Sequence, residues 1–320
     1  MLVTFDEASK YIAEGNFLHI AGNEDLLKKL PKGNWIGGST EYFMSKTGGL
    51  VTDEQLFLFD YGHTDCKINT YDIDTISQIT VDAFDNGYSI LILPYNSEIL
   101  AYYSEKAPEF EGMFIKNIVG WVSGVNLGVP GQTPIAVNGT TGEAFSDKAV
   151  ALHIPVEDGK IVNIAIVNIF DQDENSPVFR FPQAGSSVDK CTVDGEEVVL
   201  ADYLAQNNID TRLPLVGDYS GAGVNVSLKA IENGIANFYA PLFPDIEYKL
   251  AKSIDNYEEE FRKRLLDLKG LDSVFACNCI LNFLYGELED KQLEAFFGPI
   301  TFGEVAYQLV NQTLVYVTVS

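Results

Sequence analysis

A β-α-β arrangement near the N-terminus is the sequence feature that most restricts how this chain can fold. Residues 17–20 predict a strand, residues 24–30 predict a helix with acidic residues first and basic residues last, and residues 35–38 predict a second strand. Two strands joined in this way are parallel, require a right-handed crossover and must be covered by helices. The sequence therefore predicts an α/β protein with mixed β-sheets covered by helices.

A strand end that carries polar side chains lies in the last fifth of the chain. Residues 254–268 predict a helix and residues 271–276 a buried strand, which ends at Cys277, Asn278 and Cys279 and runs into the apolar residues 280–285. Ligands of α/β proteins commonly bind where strands end at the edge of a sheet. We therefore expect a binding site around Asn278.

Two segments of the chain share one order of features, which predicts an internal duplication. Gly38 and Gly303 each precede an aromatic residue by four positions, and a turn and a strand that begins near a glutamine follow. Such a repeat predicts two similar lobes, which we place at residues 1–180 and 181–320, with a boundary within residues 171–195. The alternative is chance, because β-hairpins in general share these features.

The charge of the chain argues against several classes of function. Its 320 residues include 46 acidic and 21 basic side chains, which gives a net charge of −25. A field of this sign repels phosphate backbones and anionic lipids, so neither nucleic acid nor a membrane surface is an expected partner. The first residues do not resemble a signal peptide, and no apolar run approaches the roughly 18 residues of a membrane span. Four scattered cysteines predict no disulfide framework, so we expect a cytoplasmic protein.

Cysteine chemistry is the first candidate activity. The side chains of Cys277 and Cys279 point to opposite faces of an extended strand, which suits neither a redox dithiol nor a zinc site. We expect two buried thiols, since free cysteine is among the most buried residue types. The alternative is a hydrolase or transferase in which Cys277 is the nucleophile. That reaction needs a histidine base, which must be His19, His63 or His153.

The sequence predicts neither a metal site nor a cofactor. Residues 171–175 imitate the start of a calcium loop, but its sixth position is Ser176 and its twelfth is Pro182, where glycine and glutamate are required. Residues 37–40 are rich in glycine and can bind an anion through backbone N–H groups, but they lack the lysine of a P-loop. No nucleotide site is therefore expected.

A carboxylate within an apolar strand is the second candidate for chemistry. Glu304 interrupts the apolar residues 300–307. A buried carboxylate must find hydrogen-bond donors or a cation, and an ammonium group of a ligand is one such cation. The alternative is that Glu304 faces solvent, because side chains alternate between the two faces of a strand.

Several short motifs in this region resemble one known family. They are Cys277-Asn278, Gly286-Glu287, Phe297-Gly298-Pro299, Gly303-Glu304 and Asn311-Gln312-Thr313-Leu314. Together they resemble the C-terminal half of FIST domains over residues 240–319. Residues 36–40 resemble the glycine-rich strand end in the N-terminal half of the same family.

The resemblance implies a sensory function, because FIST domains are intracellular sensory domains that bind small ligands such as amino acids. It implies that Glu304 accepts the ammonium group of a small polar metabolite, that Asn278 hydrogen-bonds its carboxylate, and that Tyr285 or Tyr307 packs on its side chain. The other expected ligand-binding residues are Cys277, Gly38, Ser39 and Thr40. Since the chain contains no output module, the signal must pass to a separate signalling partner or through a homo-oligomer. A scaffold without a ligand is a further alternative.

Overall fold

The protein is built from three units that repeat one order of strands and helices. The computed structural model describes residues 1–219, 222–266, 273–293 and 296–320. Within these residues the strands form five sheets, and three of the sheets have six strands in one common order. The predicted α/β class with mixed sheets is confirmed.

The first unit is residues 2–60. Its elements are β1 (Leu2–Thr4), α1 (Phe5–Ala13), β2 (Leu18–Gly22), α2 (Glu24–Lys29), β3 (Trp35–Ser39), β4 (Tyr42–Ser45), β5 (Gly48–Val51) and β6 (Gln55–Asp60). Thr4 and Glu7 form a capping box at the start of α1, and the Asn23 side chain accepts from the Asp25 N–H at the start of α2. The predicted β-α-β arrangement is confirmed, because β2 and β3 are parallel and are joined by α2.

The second unit is residues 67–155 and has longer strands. Its elements are β7 (Lys67–Tyr71), the 3-10 helix Ile76–Gln78, α3 (Ile79–Asp82), β8 (Gly87–Pro94), α4 (Glu98–Lys106), the 3-10 helix Ala107–Glu109, β9 (Asn117–Ser123), β10 (Ala136–Asn138), β11 (Glu143–Phe145) and β12 (Ala149–Pro155). The β8 and β9 strands are parallel, as β2 and β3 are in the first unit.

The third unit begins at β13 (Val162–Val167) and is interrupted by an insertion, residues 168–256. The insertion contains β14 (Phe179–Arg180), β15 (Gly185–Val188), β16 (Lys190–Val193), β17 (Glu196–Val199), α5 (Leu200–Gln206), β18 (Leu215–Tyr219), β19 (Ala222–Val226), β20 (Leu228–Glu232), β21 (Ile235–Leu242) and β22 (Tyr248–Leu250). The unit then continues with α6 (Tyr257–Leu265), β23 (Ser273–Cys279), α7 (Ile280–Tyr285), β24 (Gly298–Thr301), β25 (Glu304–Ala306), β26 (Gln308–Val310) and β27 (Leu314–Val319). The strand predicted at 271–276 is observed as β23, and residues 271 and 272 lie outside the described residues.

Each of the three large sheets is completed by a hairpin from a different unit. Four strands of one unit pair in the orders β1-β6-β2-β3, β7-β12-β8-β9 and β13-β27-β23-β24. The β10–β11 hairpin then pairs with β3, the β25–β26 hairpin with β9, and the β4–β5 hairpin with β24. The exchange is cyclic, so the three units have a threefold arrangement. The predicted two-lobe duplication is not confirmed, although residues 38–59 and 303–317 do occupy matching places in the first and third units.

A glycine occupies the same position in the second parallel strand of each unit. The three are Gly37, Gly120 and Gly298, and each lies opposite a residue of the exchanged hairpin. A Cβ on Gly120 would lie 1.9 Å from the carbonyl oxygen of Leu91, and one on Gly298 would lie 2.4 Å from that of Ala276. Glycine therefore allows the two parallel strands of the unit to pair at their normal spacing. In the sequence each begins a Gly-x-x-Ser/Thr motif, which ends at Thr40, Ser123 and Thr301.

The three sheets face one central core. All units contribute to its buried side chains, among them Phe57, Trp121 and Phe275. Each unit also buries its own apolar cluster beneath its helices, and the insertion has a separate cluster. The result is a layer of helices outside the sheets and a shared apolar centre inside them.

We expect Gly120→Ala to destabilise the protein by about 3 kcal/mol, because the new methyl group would overlap a backbone carbonyl that cannot move without shifting β8. Urea denaturation measures this loss. The control is Gly128→Ala, since Gly128 is exposed and its nearest neighbour, Asn126 Oδ1, is 3.3 Å from the added atom. That variant should stay within about 0.5 kcal/mol of wild type. Equal stability of the two variants would contradict the close packing at Gly120.

Candidate functional site

The three units meet at the ends of their parallel strands. Hydrogen bonds join them there, among them Gly124 N–H to Ser39 O at 2.7 Å, Phe302 N–H to Val122 O at 2.9 Å, and Thr40 Oγ1 to Ile300 O at 2.7 Å. The Ser39 hydroxyl also donates to Gly124 O and accepts from Ile135 N–H. The predicted binding residues Gly38, Ser39 and Thr40 therefore lie at the junction of units, where both hydroxyl groups already have protein partners.

Glu304 lies in a buried polar cluster behind this junction. Its Oε1 accepts from Thr301 Oγ1 at 3.0 Å, and its Oε2 accepts from Thr313 Oγ1 at 2.8 Å. The side chain is fully buried. Burial raises the pKa of Glu304 from its ordinary value of 4.5 to about 8, although the two threonines oppose the shift. The alternative of a solvent-facing Glu304 is therefore wrong.

Asn278 contacts the same cluster through its backbone. Thr301 Oγ1 lies 3.3 Å from Asn278 O as well as 3.0 Å from Glu304 Oε1. The Asn278 side chain instead accepts a hydrogen bond from Asn282 Nδ2 at 2.9 Å, and its own Nδ2 is buried without a partner in the described residues. Asn278 and Glu304 are thus brought together, but their side chains do not bond to each other.

The thiols in this region are buried and protonated. Cys277 and Cys279 are almost completely inaccessible, and Cys277 Sγ lies 3.6 Å from Gly120 O. Burial, together with the nearby Glu304, raises the pKa of both thiols well above the usual range. A thiol in this state is a poor nucleophile.

The histidines hydrogen-bond to groups other than Cys277 in the described part of the chain. His19 accepts from Trp121 Nε1 at 2.8 Å within the central core, where burial lowers its pKa to about 3. His153 bonds to Ser89 Oγ at 2.7 Å and to the Tyr71 hydroxyl at 3.0 Å. The third histidine, His63, is exposed. The geometry therefore gives Cys277 no histidine base.

A cavity of about 370 Å³ opens beside this cluster, between the insertion and the third unit. Its lining includes Arg212 from the insertion, Asp255 and Tyr257 around the start of α6, Tyr285 at the end of α7, and Glu287 and Lys291 after it. The volume lies within the range typical of small-molecule sites. Of the residues predicted from sequence, Tyr285 lines this cavity, whereas Asn278 and Glu304 do not.

The cavity carries charges of both signs. Arg212 is held by Asp210 through two hydrogen bonds, Nη2 to Oδ2 at 2.7 Å and Nε to Oδ1 at 3.0 Å. Lys291 Nζ donates to the carbonyl of Gly286 at 3.1 Å. Among the described residues, Asp255, Glu287 and Lys291 form no ion pair. These three side chains are available to a ligand that has both an anionic and a cationic group.

One side chain connects the cavity to the buried cluster. Gln312 is fully buried and its Nε2 donates to the Tyr257 hydroxyl and to Arg212 O, both at 3.1 Å. Its Oε1 accepts from Ser227 Oγ at 2.6 Å. The next residue, Thr313, binds Glu304. Two consecutive residues, Gln312 and Thr313, therefore connect the lining of the cavity to the buried carboxyl group of Glu304 through their hydrogen bonds.

The last predicted residue, Tyr307, lies elsewhere. Its backbone has φ 64°, its N–H donates to Ile118 O, and its carbonyl accepts from the Tyr103 hydroxyl. Its ring packs against Phe114 with the centroids 6.0 Å apart. Tyr307 therefore belongs to the outer cluster of the second unit, at the exchanged hairpin.

The described residues contain no group of three or more histidine, cysteine or acidic side chains placed to hold a metal ion. In the same residues, no helix is long and apolar enough to cross a membrane.

A model described as a family of unknown function (DUF6976) matches residues 3–320. No curated protein matches the sequence.

The raised pKa of Glu304 predicts a pH-dependent stability. Between about pH 4.5 and pH 8 the folded protein holds a proton on Glu304 that the unfolded chain releases, so the contribution of Glu304 to the free energy of unfolding falls by about 1.4 kcal/mol per pH unit as the pH rises. Glu304→Gln cannot ionise, so its stability relative to wild type should rise by this amount over the same range, and the variant should be more stable than wild type at pH 8. Urea denaturation at pH 5 to 9 measures it, with the exposed Glu143→Gln as control. Parallel curves for wild type and Glu304→Gln would show that the carboxyl group titrates normally.

We expect iodoacetamide at neutral pH to modify the folded protein mainly at Cys66. Burial raises the pKa of all four thiols, but Cys66 is partly exposed whereas Cys191, Cys277 and Cys279 are buried, so exposure decides which thiol reacts. Peptide mass spectrometry over time gives the site of each modification, and the unfolded protein, in which all four should react, is the control. Rapid modification of Cys277 in the folded state would restore the nucleophile alternative.

Proposed function

Since this chain belongs to the DUF6976 family, whose function is unknown, we propose its function from the geometry of the site: it binds a small zwitterionic metabolite, such as an amino acid, in the cavity lined by Tyr257, Tyr285 and Lys291. The observation that carries this proposal is the presence of unpaired charges of both signs in one cavity of suitable volume. The proposed binding site is therefore the cavity and not the surroundings of Asn278 and Glu304, but the proposed class of ligand is the one expected from the sequence.

The charges of the cavity suit the two ends of such a ligand. Lys291 can donate to a carboxylate, and Glu287 or Asp255 can accept from an ammonium group. The rings of Tyr257 and Tyr285 supply apolar surface between these groups, because both are partly buried and line the same cavity.

The position of the cavity supports a sensory function. One wall belongs to the insertion and the other to the third unit, so a ligand that contacts both walls favours one relative arrangement of them. Gln312 hydrogen-bonds to both walls, through Arg212 O and the Tyr257 hydroxyl. We propose that a separate signalling protein, or a second copy of the chain, recognises this arrangement in the cytoplasm, where the four free thiols suit a reducing environment.

An enzyme that uses Cys277 is less well supported. A nucleophilic cysteine needs an exposed thiolate and a base, whereas burial keeps this thiol protonated and none of the histidines is hydrogen-bonded to it in the described residues. We therefore propose that the protein binds its ligand without converting it.

The proposal predicts that amino acids or related zwitterions raise the melting temperature, since a ligand that binds only the folded state stabilises it. Isothermal titration of the best ligand should show affinity about five- to ten-fold weaker for Lys291→Gln, because that variant loses a charged donor that is partly exposed to solvent. Lys160→Gln, at an exposed turn, is the matched control and should bind as wild type does.

The same titration distinguishes the cavity from the site predicted by sequence. Glu304→Gln removes the buried carboxyl group without touching the cavity lining, so the proposal expects nearly unchanged affinity. A loss of ten-fold or more in Glu304→Gln, with Lys291→Gln unaffected, would place the ligand ammonium at Glu304 instead. If no zwitterion in the set stabilises the protein, the proposed ligand class is wrong.

A further inference from the structure

We infer that the protein has a second binding site, which takes an amphipathic anion such as a medium-chain fatty carboxylate. The site is a groove of about 640 Å³ in the first unit, between the β1 and β6 strands and the β4–β5 hairpin. Its apolar lining includes Leu2, Leu50, Phe57 and Phe297, and its polar lining includes Lys46 and Gln55. It is separate from the cavity at Lys291 and does not depend on the function proposed for that cavity.

The groove is an opening into the central core. Phe57 is a buried member of the central core cluster, and Leu2 and Leu50 pack against that cluster as partly buried side chains. Phe297 is 37% exposed although it is large and apolar. Contact with an alkyl chain would remove this apolar surface from water, which is favourable by about 0.8 kcal/mol for each buried methylene group.

In the other two units, the corresponding hairpin contacts the edge of its own sheet. In the second unit the hairpin packs directly on the edge of its own sheet, where Asn138 Nδ2 of β10 donates to Thr70 Oγ1 of β7 at 3.0 Å. In the third unit the hairpin packs on β27, and β19 of the insertion lies against β26. Hydrogen bonds fix this cover, from Asn311 Nδ2 to Asn225 O and from Asn225 Nδ2 to Gln312 O, both at 3.1 Å. The first unit has a groove between its hairpin and its own sheet, at the place where the other two units have these contacts.

Charge selects the occupant of the groove. Lys46 is exposed at the turn between β4 and β5, and it forms no ion pair in the described residues of a chain with net charge −25. A cation at the mouth of an apolar groove complements a ligand with an alkyl chain and one anionic head. A peptide segment would suit the groove less well, because its backbone N–H and C=O groups would face an apolar lining.

Isothermal titration with decanoate, kept below its micelle concentration, tests the inference. We expect saturable binding of one decanoate per chain. Acetate has the head without the chain and should show no binding, whereas decan-1-ol has the chain without the charge and should bind about five-fold more weakly.

Three variants locate the binding. Lys46→Gln should weaken decanoate about five-fold, and Thr47→Glu, which puts a carboxylate at the exposed mouth, should weaken it about ten-fold or more. Leu50→Trp should fill the groove and abolish binding, and its melting temperature shows whether it folds. Lys160→Gln and Lys291→Gln should both bind decanoate as wild type does.

The outcomes separate clearly. Absence of saturable decanoate binding overturns the inference, as does equal affinity of wild type, Lys46→Gln and Thr47→Glu. Loss of binding in Lys291→Gln alone also overturns it, because the anion would then occupy the other cavity. If Leu50→Trp does not fold, Thr47→Glu still decides, since Thr47 is exposed.

Discussion

The exchange of hairpins between units is the constraint on which the rest of this fold depends. None of the units completes its own sheet: β3 is paired by the second unit, β9 by the third and β24 by the first. An unpaired strand edge is costly when it is buried, because its N–H and C=O groups lose water without gaining partners. The three units must therefore assemble together, and many of their stabilising contacts join residues far apart in the chain, which favours slow and cooperative folding.

The candidate site follows from the one place where the threefold order is broken. The insertion leaves the third unit after β13 and returns at α6, so its ends must pack beside α7 and the turn before β27. Gln312 fills the space between them and satisfies groups from both sides. Polar side chains are concentrated there because an apolar seam would leave the backbone groups at the turn unpaired. The cavity is thus a consequence of joining an added domain to an existing unit.

Local features of the sequence could be predicted, and long-range ones could not. The α1 and α2 helices were predictable from their caps and charge order, and the strand before Cys277 from its apolar run. The apolar neighbours of Glu304 on its strand left burial and exposure to solvent as two alternatives, and the side chain is buried. The threonines that satisfy it come from β24 and from the turn before β27, and no pattern in the sequence specifies that contact. Arg212, Tyr257 and Lys291 were missed for the same reason, because three distant segments form one cavity.

A short motif marks the equivalent positions of the three units, but it does not identify them by itself. Gly-x-x-Ser/Thr occurs at residues 37–40, 120–123 and 298–301, and also at residues 49–52, 217–220 and 270–273. Gly38 and Gly303 precede two matching hairpins, but they are not equivalent positions. Gly38 lies one residue after Gly37, whereas Gly303 lies five residues after Gly298. The second copy is hard to recognise because Trp121 and Val122 stand where the first copy has Gly38 and Ser39, and because the loop at 124–134 separates it from the hairpin that follows.

The cyclic exchange also bears on how such a chain can arise. A polypeptide with a single unit would have one strand edge and one hairpin without partners, and three copies closed into a ring would satisfy all of them by symmetry. Joining the three copies into one chain keeps the ring but removes the requirement that the copies be identical. Each of the three units can then acquire its own sequence, so that the third unit can accept an insertion while the first keeps a groove beside its hairpin.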